Sequence, residues 1–143
     1  PPPAALPQEE LYVLKVLEQQ KQGSVLTYPY DQYLKSKTGI NTPIPLFMYE
    51  STGYVSAFSR QIVFLEDEVN LNILNVPYQT RLKDINVSFF KSPSKFIARG
   101  FLLQNNIDYI YLTHDQELPN SPEDLQLSLV TQQGSTRLYK VLK

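Results

Sequence analysis

The sequence predicts an α/β fold: a three-layer sandwich with a mainly parallel, Rossmann-like sheet and a C-terminal antiparallel hairpin. Three observations predict it. Helical and strand periodicities alternate along the chain. Ile107-Asp108-Tyr109-Ile110-Tyr111-Leu112-Thr113, dense in β-branched and aromatic residues, follows a helical stretch with almost no loop. Two strand-like runs at the end flank Gln133-Gly134-Ser135, with glycine at the turn.

Residues 1–7, Pro1-Pro2-Pro3-Ala4-Ala5-Leu6-Pro7, read as an extended linker, because polyproline stays extended and solvated. Residues 8–143 read as a single domain. Leu11, Val13, Leu14 and Leu17 lie at helical spacing, with Glu9 and Glu10 in the first turn where acids favour the dipole and Gly23 just past the end. A short buried strand follows over 24–28 and runs into the turn at Pro29. Residues 35–53 hold Gly39, Pro43, Pro45 and Gly53 and predict a long irregular excursion. Ile62-Val63-Phe64-Leu65 is an apolar strand that stops at Glu66-Asp67-Glu68. Tyr78, Leu82, Ile85 and Phe89 place a second helix over 77–90. Ser92-Pro93 supplies an N-cap and first-turn proline for a third, with Phe96, Ile97, Gly100, Phe101 and Leu103 as its apolar face. Strands are expected over 107–113, 125–132 and 136–142.

Several function classes are excluded or disfavoured by composition. Thirteen basic against fourteen acidic residues, with the bases scattered, leave no electrostatic footprint for nucleic acid. No cysteine is present, so thiolate nucleophiles and cysteine-based metal sites are absent. No G-x-G-x-x-G, Walker or G-x-S-x-G motif occurs, and the reading assigns no catalytic residue, no metal and no cofactor.

If the strands near 25, 63 and 110 are parallel, their C-terminal ends share one edge, where open α/β sheets bind ligands. Tyr30 and Asp31, Glu66, Asp67 and Glu68, and His114 and Asp115 would then converge as a ligand-binding rim for a cation or a polyol. The plain alternative is that strand-end loops are polar because they are wet. His114, the single histidine, is on that view a solvated loop residue, and the tyrosines of Tyr28-Pro29-Tyr30 cover the core edge. Asn86-Val87-Ser88 matches a glycosylation sequon but falls inside a predicted helix.

The order of these features resembles the C-terminal soluble domain of bacterial multi-pass membrane glycosyltransferases of the GT-C superfamily, the class of dolichyl-phosphate-mannose protein mannosyltransferase relatives. The matching stretches are the helix at 10–20 and the strand and turn Val25-Leu26-Thr27-Tyr28-Pro29-Tyr30. Ala57-Phe58-Ser59-Arg60-Gln61-Ile62-Val63-Phe64-Leu65 stands for an AFTGR-x-V-Y-L strand without its glycine. Phe89-Phe90, Ile107-Asp108-Tyr109-Ile110-Tyr111-Leu112, and Gln133-Gly134-Ser135-Thr136-Arg137-Leu138-Tyr139-Lys140-Val141 follow in order. The likeness spans about 8–143. It implies a domain on the extracytoplasmic face of the cell membrane, tethered by the proline-rich start, with the chemistry in a transmembrane part that this chain lacks. The partners it implies are that transmembrane region and a glycan or polyprenyl-phosphate-sugar acceptor complex. Two other readings remain open: a free-standing hydrolase using the acidic strand-end cluster, and a protein-interaction domain presenting Ile44, Leu46, Phe47, Met48 and Tyr49.

Overall fold

The computed structural model describes residues 6–29, 53–64 and 85–143. Helix α1 (Gln8–Glu18) turns its Val13, Leu14 and Leu17 stripe inward, and strand β1 (Ser24–Thr27) follows. Helix α2 (Gly53–Ser59) leads into strand β2 (Ile62–Phe64). A π-helical turn (Asn86–Phe90), helix α3 (Lys95–Gln104) and strand β3 (Ile107–Leu112) come next. A one-turn helix α4 (Pro122–Leu125) and the hairpin of β4 (Leu127–Gln133) and β5 (Thr136–Val141) complete the chain.

The sheet has the order β2-β1-β3-β5-β4. Strand β1 is parallel to both β2 and β3, whereas β3–β5 and β4–β5 are antiparallel. The first strands pair parallel and the hairpin adds antiparallel strands at one side, as expected; because it supplies as many pairings as the parallel half, the sheet is mixed and not mainly parallel. Strand alternation divides the core in two. Val25, Val63, Tyr109, Tyr111 and Leu138 meet α1 and Val55 of α2 on one face. Leu26, Ile110, Leu112, Tyr139 and Val141 meet Phe89, Phe101, Leu102 and Leu125 on the other.

Four local expectations change. Residues 53–59 form a helix where the likeness places strand from Ala57 onward; the chain then reverses at Arg60, whose φ of 58° is left-handed. Asn106 (φ 54°) and Gln126 (φ 55°) turn α3 into β3 and α4 into β4 in the same way, so these three junctions turn without glycine. The cap of α3 is Ser94, whose Oγ accepts from Phe96 N at 3.2 Å, not Ser92, whose Oγ donates to Ser94 O. Of the predicted helix over 77–90, the described part is π-helical over Asn86–Phe90, closed by Lys91 N donating to Asn86 O at 2.7 Å. Leu125 ends a helix and does not begin a strand, because Ser121 accepts from Asp124 N and Pro122 starts the turn.

Gly23 is explained by crowding, not by helix termination. A Cβ there would lie 2.5 Å from Asp108 Oδ2, the atom that accepts from Ser24 N and ties β1 to β3. Asp108 Oδ1 accepts from Lys143 Nζ at 2.8 Å. Burial alone would raise the Asp108 carboxyl; the bonds from Lys143 and Ser24 outweigh it and hold it below the ordinary 3.8. Its unfolded counterpart takes up a proton first, so this stabilisation is complete above pH 3.8 and is lost as pH falls through the folded value. Lys143→Met is expected to flatten the acid limb of a stability-against-pH curve while leaving neutral stability within about 1 kcal/mol, because the pair is partly solvated.

Candidate functional site at the C-terminal sheet edge

Parallel pairing of β1 with both neighbours puts the C-terminal ends of β1, β2 and β3 on one edge. The order β2-β1-β3 also places β1 and β3 at a reversal of chain direction: the chain leaves β1 for β2 on one side and reaches β3 on the other. Tyr28 and Pro29 follow β1 there, and Thr113, His114 and Asp115 follow β3.

His114 and Asp115 are both exposed. His114 has a φ of 51°, and its carbonyl accepts from Arg137 Nη2 at 3.2 Å. The same Arg137 nitrogen donates to Gln116 O at 2.6 Å, and Arg137 Nε donates to Ser135 O at 2.9 Å. Thr113 N donates to Gln116 Oε1 at 2.9 Å. The guanidinium thus clamps the β3 exit loop to the hairpin through three carbonyls, fixing the backbone from which His114 and Asp115 project. Tyr28 is half-buried with its ring 4.5 Å from that of Phe90, which makes it a cover for the core edge. Tyr30, Asp31, Glu66, Asp67 and Glu68 lie outside the described residues, as do Ile44 to Tyr49 of the interaction reading. Among the described residues, no group of three or more His, Asp or Glu side chains could hold a metal ion.

A polar cluster that sequence reasoning missed sits beneath the same edge, on the α1 and α2 face. Glu10 is fully buried, and its Oε1 accepts from Tyr54 Oη at 3.0 Å and from Tyr111 Oη at 3.2 Å. Its Oε2 has no hydrogen-bond partner among the described residues. The two rings meet edge to face at 6.4 Å. The sequence carried a sign of it: Glu10, Val13, Leu14 and Leu17 occupy one helical stripe, so an acid stands where a core residue belongs. Neighbouring Glu9 instead binds the hairpin, accepting from Ser135 Oγ at 3.0 Å and Thr136 Oγ1 at 3.4 Å.

Burial pushes the Tyr111 phenol far above its ordinary value of 10, reinforced by Tyr54 and by the Glu10 carboxylate. Tyr111 ionises more readily in the unfolded chain, so its contribution to stability is complete below pH 10 and falls away as pH rises above it. Alkaline unfolding followed by circular dichroism should therefore begin near pH 10. Tyr111→Phe should shift that transition upward, at a cost of about 1 kcal/mol at neutral pH for the lost bond to Glu10.

An open groove of about 640 Å³ lies on the opposite face, walled by Phe64 of β2, Ser88 of the π turn and Phe96, Ile97 and Phe101 of α3. Phe64 is the last described residue before the segment 65–84. Comparison of the chain with protein-family models, with curated proteins and with solved structures gives no match.

Proposed function

We propose that the chain is a non-catalytic accessory domain of a membrane-embedded, glycosyltransferase-like protein. It stands on the extracytoplasmic face and offers the C-terminal edge of β1 and β3 to a glycan or polyprenyl-phosphate-sugar acceptor. In this reading the fold is the three-layer, Rossmann-like sandwich, with β2-β1-β3 as its parallel half.

One observation supports it most: three of the stretches that carry the resemblance coincide with structural units. Phe89-Phe90 closes the π turn into the core, 107–112 is β3, and Gly134, at φ 56°, turns the β4–β5 hairpin. The departure at Ser59-Arg60 has a physical counterpart. Arg60 adopts the left-handed conformation for which the glycine of a Thr-Gly-Arg turn is suited.

The test is amide chemical-shift mapping of the 143-residue chain titrated with oligosaccharides and with a short-chain polyprenyl-phosphate sugar. Among the described residues, shifts confined to Tyr28, Thr113, His114, Asp115 and Gln116 are expected, without turnover of the sugar phosphate. Shifts elsewhere among the described residues, or hydrolysis of the ligand, would count against it.

A further inference from the structure

We propose that β4 is a self-association edge, through which two copies of this chain pair antiparallel and join their sheets. β4 is the last strand in the sheet order, and nothing among the described residues pairs with its outer side. β4 runs for seven residues, longer than the short strands that blunt a sheet edge.

Hydrogen-bond phase shows which backbone groups are free. Leu142 N donates to Gln126 O at 3.0 Å, so the opposed residues 126 and 142 form a hydrogen-bonded pair. Pairs alternate along an antiparallel ladder, so Leu127↔Val141 and Leu129↔Tyr139 are non-bonded pairs. The N–H and C=O groups of Leu127 and Leu129 consequently point away from β5, to the outside. An extra residue, Val130, breaks the register between Leu129 and Thr131 and bends the far half of the strand, leaving residues 127–129 as the regular leg.

The occupant is set by charge and symmetry. No charged residue falls between Asp124 and Arg137, so a two-fold arrangement, which sets this segment against itself, meets no like charge. With the dyad at Ser128, Leu127 of each copy exchanges both backbone hydrogen bonds with Leu129 of the other. Leu129, 50% exposed and on the same face as Tyr139, then lies against Leu127 of the second copy.

Sedimentation equilibrium of the 143-residue chain across the micromolar range tests this, together with concentration-dependent amide exchange. The mass should rise from 16.5 kDa toward twice that value, and exchange at Leu127 and Leu129 should slow as it does. Ser128→Glu, at an exposed position opposite Lys140 of its own sheet, puts two like charges at the dyad and should weaken association about fivefold or more without lowering the melting temperature of the monomer. Gln132→Glu, beyond the bulge and opposite Arg137, should leave association intact. A monomer mass throughout overturns the proposal and leaves the edge to an extended segment of a different protein. Association undiminished in Ser128→Glu overturns it as well.

Discussion

Phe89→Ala is expected to lower the unfolding free energy by about 3–5 kcal/mol, a third or more of what a domain of this size commonly has. The ring is fully buried, 4.8 Å from Phe90 and 5.9 Å from Phe101, and lies in the cluster that joins the π turn to α3 and the sheet. The π turn places it there. Phe90 is buried beside it in the same turn. Urea unfolding measures the loss. Phe89→Leu, which keeps most of the volume, should cost well under half as much; equal losses would mean that the ring contacts, and not the filled volume, carry the stability.

Gln61 is expected to give the second large effect, and here the sign of the comparison is the informative part. Its side chain is buried just before β2, where Nε2 donates to Leu17 O at 3.0 Å and lies within bonding reach of Gln20 O and Lys21 O. Its Oε1 accepts from Gly23 N at 2.9 Å. One carboxamide therefore satisfies the carbonyl end of α1 and the amide that opens the turn into β1. Gln61→Ala leaves those groups without partners and should cost about 1–3 kcal/mol. Gln61→Glu should cost more than alanine, because it sets a carboxylate among three carbonyl oxygens in a buried site. Equal stability of the alanine and glutamate variants would show that the clamp is solvated in solution.

Gln61 also shows where sequence reading stops. Its partners lie about forty residues earlier in the chain, and nothing local distinguishes it from a polar residue at the start of an edge strand. The same holds for Glu10, whose hydroxyl donors come from residues 54 and 111; only its place on an apolar stripe was legible. Elements with strong periodic or compositional character were read well: α1 from its leucine and valine spacing, β3 from its β-branched and aromatic run, and the hairpin from Gly134. α2 was missed because Gly-Tyr-Val-Ser-Ala-Phe-Ser is short and poor in strong helix formers, so that tertiary packing of Val55 decides its conformation. Helix-strand alternation foretold the parallel half and Gly134 the antiparallel hairpin at one side of the sheet, whereas its place beside β3 depends on long-range pairing with no local signature. Of the proposed rim, only His114 and Asp115 fall on described residues. Arg137, which holds their loop, gave no sign beyond being a basic residue in a strand.

The accessory-domain reading is tested most directly by locating the native protein that carries this chain. Cells are fractionated, an antibody against the β4–β5 hairpin is used to follow it, and intact spheroplasts are treated with protease from outside. The account predicts that the epitope sediments with the cell membrane and is removed by external protease. An epitope found in the soluble cytoplasmic fraction, or protected until the membrane is broken, would contradict it.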